Sequence, residues 1–142
     1  ASAYESMVAE NRQAGVPLEG VISFHPPMHL SGLYNAAYAG SQMVEGVRVE
    51  VVDAGQISMG IGWQVVAAAR AARDGESLDD ILRMVQNMRP RTQLLAALES
   101  LEWAARSGRV SSIWQSGCAP GGANWSVCWN SSLLWRHFRR SL

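Results

Sequence analysis

The sequence predicts an α/β fold: a partial parallel sheet with flanking helices, incomplete at both ends. Two observations predict it. Short apolar runs that stop at proline or aspartate alternate with longer stretches of helical period, the order of βαβ units. Only two or three such runs occur in 142 residues. A parallel sheet needs cover on both faces and neighbours at its edges, so the inventory reads as the middle of a larger domain.

The elements follow in order. Residues 4–14 read as a helix with Tyr4, Met7, Val8 and Asn11 on one face, ended by Gly15 and Pro17. Val21 to Phe24 is a short apolar run fit for a buried strand, stopped by Pro26 and Pro27. Ser31 is suited to cap a helix over residues 32–43, rich in Ala and Gly. "VRVEVVD", residues 47–53, is the clearest strand. Its apolar positions alternate with Arg48 and Glu50, which predicts one less buried face. Residues 57–73 read as a long helix whose Gly60 and Gly62 imply close backbone approach. Ser77 with Asp80 resembles a capping box, opening a helix over 78–88 with Leu78, Ile81, Leu82 and Val85 as its stripe. Residues 92–98 fit a strand or a helix equally. Residues 98–105 read as helical, with Gly108 placed to end them.

Net charge is zero, but it is unevenly distributed. Residues 1–112 hold all 12 acidic residues and nine Arg, giving −3; residues 113–142 hold three Arg and no acid, giving +3. Lysine is absent. The Arg of the main body are dispersed among acids, so no stripe for nucleic acid is expected. No run is long enough to span a bilayer, so no stable membrane insertion is expected. The start lacks a basic-then-apolar leader, which points to the cytoplasm. The tail carries four of six Trp and both cysteines, Cys118 and Cys128. Their ten-residue spacing, with no further ligand beside them, is not that of a zinc site. The expected division is therefore a domain fragment over 1–112 and an atypical Trp- and Cys-rich basic tail over 113–142, outside the fold. The tail's last stretch, "SSLLWRHFRRSL", has the pattern of a short basic amphipathic helix.

Chemistry concentrates in "HPPMHLSGLYNAA", residues 25–37. Ser31, His29 and Asp53 could make a triad, but "LSG" lacks the nucleophile elbow and His29 lies two residues from Ser31. His25 and His29 have i,i+4 spacing, which favours a metal only on a helix, and two prolines lie between them. Asp53 ends a strand, where ligands bind in open α/β sheets, or else caps the following segment. Ser31-Gly32 opens a helix, and helix N-termini attract anions. No Walker or dinucleotide fingerprint accompanies it. The physics favours an anionic head group there without naming it.

Four segments, in order and spacing, carry a family resemblance. Leu30-Ser31-Gly32 followed by Tyr34, Ala36 and Ala37 resembles the "SSxLSGTYxxA" motif of the DegV family. "VRVEVVDAGQISMGIG" is similar to its strand ending in Asp-Ser and the helix after it. "RAARDGESLDDI" and "LLAALESLEWAARSGRVSS" resemble two further stretches, and the whole covers about residues 4–112. The resemblance implies a bacterial protein that holds one long-chain fatty acid in a tunnel and does no chemistry itself. The carboxylate would be held by a Ser in the LSG loop, here Ser31 with Gly32, and His29 and Asp53 join the expected ligand-binding set. Small and apolar residues of helices 32–43 and 57–73 would line part of the acyl site. No cofactor or metal is implied; a separate fatty-acid kinase is the implied protein partner. This sequence departs from the motif: the leading Ser pair falls on Pro27 and Met28, its Thr on Leu33, and the Ser after the strand aspartate on Ala54. The family's first strand, the loop donating a second hydroxyl and its second domain are not represented. Similarity stops near Ile113, as expected of a shifted reading frame or a fusion. Two alternatives remain: a phosphotransfer or kinase-related enzyme of the same broad fold, using His25 or His29, and a non-functional truncated product.

Overall fold

The computed structural model of the chain describes residues 2–98, 102–109 and 125–129. It forms two compact units, residues 1–92 and 93–142. The first contains α1 (Ser2–Gln13), β1 (Gly20–His25), α2 (Leu33–Ser41), β2 (Arg48–Asp53), α3 (Met59–Arg73) and α4 (Leu78–Met88), followed by a 3-10 turn at Arg89–Arg91. The second contains β3 (Leu94–Leu98), α5 (Glu102–Arg106) and β4 (Trp125–Trp129).

In the first unit β1 and β2 pair in parallel, from Gly20 opposite Arg48 to His25 opposite Asp53. The α/β class and the parallel pair are as the sequence predicts. Alternation along a strand sends successive side chains to opposite faces. On one face Ile22, Phe24 and Val52 pack against Ala68, Ile81 and Val85 of α3 and α4. On the other, the Tyr4 hydroxyl of α1 donates to Ser23 Oγ at 2.8 Å. Val8 is the buried residue of α1's apolar face, whereas Met7, expected beside it, is 45% exposed.

Helix α4 has the predicted bounds. Ser77 is extended and its Oγ accepts from the Asp80 N–H at 3.2 Å. Leu78, Ile81 and Val85 are buried on the helical stripe. Gly20 needs its missing side chain: a Cβ there would lie 2.7 Å from Leu78 Cδ2 and 2.9 Å from the Arg48 carbonyl.

Most other boundaries shift by one or two residues, and three shifts have a visible cause. Helix α2 begins at Leu33 with Gly32 at the N-cap position, not Ser31, because a turn anchored on Pro27 still holds the Ser31 N–H. Helix α3 begins at Met59, because Ser58 takes a left-handed φ of 50°. Residues 94–98 are a strand, so the helix expected from 98 starts only at Glu102. Gly108 does follow its end, with φ +73°.

In the second unit β3 pairs antiparallel with β4, Leu94 opposite Trp129 and Leu98 opposite Trp125. No strand was expected in 125–129. The signal was present: Trp125, Val127 and Trp129 alternate with Ser126 and Cys128. The division expected at 112/113, Cys118 and the helix expected over 131–142 lie outside the described residues.

Candidate functional site

Two loops leave the carboxyl ends of the parallel strands. The first runs from β1 to α2. Proline lacks an N–H, so Pro26 and Pro27 end the strand ladder. Pro27 is fully buried, and its carbonyl accepts from the Leu30 and Ser31 N–H groups at 2.9 and 3.1 Å. That turn presents Ser31 and Gly32 at the start of α2. Ser31 Oγ accepts the Leu33 N–H at 3.3 Å, which leaves its hydroxyl hydrogen for another acceptor. Gly32 carries no side-chain cap, and a Cβ on it would meet nothing within 4 Å. The N–H groups of Tyr34 and Asn35 have no carbonyl within the helix to bond. The Ser31 hydroxyl and these first-turn amides therefore lie at one helix start, where the helix dipole favours an anion. His29 is exposed in the turn itself.

Asp53 ties this loop to the next. Its side chain is only 15% exposed. Oδ2 accepts from the Met28 N–H at 3.4 Å, and Oδ1 accepts from the Gly55 N–H at 2.7 Å. Oδ1 also accepts from Arg89 Nη2 at 3.4 Å. A carboxylate with three donors around it ties together the loops that supply them.

The second loop, residues 54–58, is buried over residues 54–56, where the first is exposed. Ala54 and Gln56 have no exposed surface. Gly55 sits at φ +66° under the Arg89 side chain, whose Nε would lie 2.5 Å from a Cβ at that position. Gln64 of α3 is fully buried, and its Nε2 donates to the Ala54 and Gly60 carbonyls at 2.9 and 3.1 Å. Gln56 Nε2 donates to the Thr92 carbonyl at 2.9 Å. Gln56, Gln64 and Arg89 escaped the sequence reading. A glutamine within "GIGWQVVAA" was the available signal, since a polar residue amid small and apolar ones seeks partners if buried; the Nε2 groups of Gln56 and Gln64 find them, while their Oε1 atoms are buried without one.

His25 is a strand residue, not a loop histidine. It ends β1, beside Asp53 in the register, and its Nε2 lies 2.7 Å from Ser23 Oγ. Burial lowers its pKa from the ordinary value of 6.5. With Tyr4 donating to Ser23, the Ser23 hydroxyl is left to donate to a neutral imidazole. Among the described residues no three His, Cys, Asp or Glu side chains gather as a metal site would need. Nor is any helix among them long and apolar enough to cross a membrane.

An apolar cavity of about 410 Å³ lies between β1 and helices α3 and α4, with Ile22, Phe24, Val65, Ala68 and Ala72 among its walls. Helix α3 supplies part of its wall and α2 none, since α2 packs against β2 and β1. None of Ser31, Gly32, His29 and Asp53 reaches this cavity. Around the loops, Met28, Leu33, Met59 and Trp63 are each more than half exposed.

The model of the DegV family, described as uncharacterised proteins, matches residues 4–115. A DegV domain-containing protein from Lactococcus lactis is 35% identical over 111 residues, which is 78% of this chain and 37% of that protein. One from Staphylococcus aureus strain COL is 32% identical over 110 residues, again 78% of this chain and 37% of the relative. A DegV family protein from Thermus thermophilus, solved for its fatty-acid binding, superposes with a TM-score of 0.72 at 26% identity, covering 89% of this chain and 45% of that one. The chain thus spans less than half the length of the relatives it matches.

Proposed function

The chain belongs to the DegV family, and from that premise we propose that it binds a long-chain fatty acid, with the carboxylate at the Ser31-Gly32 start of α2. The observation that carries this reading is the state of Ser31: its oxygen is engaged by Leu33, so its hydrogen points the group toward donation. A carboxylate there would accept from Ser31 and from the first-turn amides, with no steric block at Gly32. The fatty-acid binding of the Thermus thermophilus protein supports the choice of ligand. In this proposal Asp53 acts indirectly, by holding the Met28 and Gly55 amides, and His29 borders the ligand from the turn. The exposed Met28, Leu33, Met59 and Trp63 give the acyl chain an apolar surface to follow. A kinase that acts on the bound carboxylate is the partner this reading implies, and residues 1–112 are the part that carries the ligand.

Native mass spectrometry of the gently purified chain tests the proposal. The expected result is a co-purified mass of long-chain fatty-acid size, lost on denaturation. A chain that arrives empty and takes up no added palmitate overturns it. A phosphorylated histidine would instead favour the phosphotransfer alternative.

A further inference from the structure

We infer that Arg89 is the cation of the head-group site, contacting the bound carboxylate and setting the preference for an acid over an uncharged lipid. The inference rests on the fatty-acid reading above.

The difficulty it resolves is electrostatic. Asp53 is tied to the loop that carries the proposed site: its Oδ2 accepts from the Met28 N–H at 3.4 Å, at the start of the turn leading to Ser31. A second carboxylate brought to this place meets a like charge, which disfavours it unless a cation is shared. Arg89 is positioned to supply one. It follows α4 immediately, reaches back across 36 residues and places Nη2 at 3.4 Å from Asp53 Oδ1. That is one long contact from a group with five N–H donors in a planar fork. The Nε end is buried and has no hydrogen-bond partner, packed toward Gly55. The side chain as a whole is 44% exposed, so the outer edge of the fork stays accessible beside the loop. The arrangement fixes the stem and leaves the charge available.

The glycine at 55 is part of this device. Any side chain there would displace the Arg89 stem, and the φ of +66° already favours glycine. Gly55 therefore both makes the turn after β2 and gives Arg89 its seat. The Asp53 contact then acts as a placeholder: it holds the guanidinium at the site and yields part of it when a stronger bidentate acceptor arrives.

The test compares palmitate with hexadecanol on the full 142-residue chain, titrated by native mass spectrometry and by equilibrium dialysis. The wild-type chain is expected to prefer the acid at least tenfold. Arg89→Gln is expected to lose most of that preference by weakening the acid alone. Arg89→Lys keeps the charge without the fork and should retain part of it. Asp53→Asn keeps an oxygen for the Gly55 amide, gives up the long contact to the Met28 amide and removes the competing charge, and should widen the preference. Circular dichroism follows folding; if Arg89→Gln fails to fold, Arg89→Lys and Asp53→Asn decide. An unchanged acid preference in Arg89→Gln overturns the assignment, as does an equal loss of acid and alcohol, which marks a purely structural role. A wild-type chain that binds both lipids equally overturns it while sparing lipid binding. One that takes up neither lipid overturns the fatty-acid reading and this assignment together.

Discussion

The two loops that follow β1 and β2 begin alike and end differently. Each leaves the carboxyl end of a parallel strand, makes a tight turn and starts a helix. The first keeps Gly32 and His29 exposed and Ser31 half-exposed, with its turn anchored from below by buried Pro27. The second hides Ala54, Gly55 and Gln56 and is tied down by Gln64, Arg89 and Thr92. The difference separates two tasks. One loop is arranged to be approached, and the other is arranged to hold still. Asp53 joins them, because one carboxylate accepts amides from both.

Substitutions can break or sharpen this contrast. The largest effect is expected at Gln64→Leu, which takes the donor from the Ala54 and Gly60 carbonyls. The Ala54 carbonyl is left unpaired at a cost of roughly 1–3 kcal/mol, while the Gly60 carbonyl keeps its bond within α3. Urea unfolding should show the loss, and a change below about 0.5 kcal/mol would mean the second loop does not depend on this tie. Next is Ser31→Ala, where the effect belongs to affinity. Losing one hydrogen bond to a charged group weakens fatty-acid binding by roughly 1.5–3 kcal/mol, while the fold loses about 1 kcal/mol at most. Lipid retention equal to wild type would remove Ser31 from the site. Gly55→Ala follows at about 1–2 kcal/mol of stability, from the left-handed backbone it must adopt, with some displacement of Arg89. A thermal melt matching wild type would contradict the seating of Arg89 on Gly55. The smallest is Gly32→Ala. Its backbone is already helical and nothing surrounds it, so stability should move by less than about 0.5 kcal/mol. Binding should nonetheless drop several-fold, since the methyl occupies the approach to the first-turn amides. Affinity unchanged by that methyl would place the head group elsewhere.

Much of this was legible because it is local. The Ser77 cap and the stripe of α4 are set by residues within a turn or two of one another, and the structure repeats them; β2 is a strand as expected, but only Arg48 is exposed on it and its burial does not alternate. Ser31-Gly32 was visible as a helix start, although the Pro27 turn delays that start to Leu33. What could not be read was the second loop. Gln56 finds its acceptor at Thr92 and Asp53 finds its cation at Arg89, each 36 residues away. Such pairs leave no period in a sequence. His25 shows the same limit: the strand was expected to end at Phe24, whereas His25 pairs with Asp53 on the sheet and meets Ser23, which Tyr4 of α1 also reaches. For β4 the alternation was present, but the composition of the tail obscured it.

The register of the parallel pair also has a kinetic consequence. Every rung joins residues 28 positions apart, from Gly20–Arg48 to His25–Asp53. No rung can form until that stretch of chain has closed on itself, so the first contact carries nearly all of the entropic cost and the later ones follow cheaply. The closing stretch contains α2, which shortens the search when its helix forms early. The proposed head-group loop lies inside this stretch. It is therefore shaped in the same step that makes the sheet.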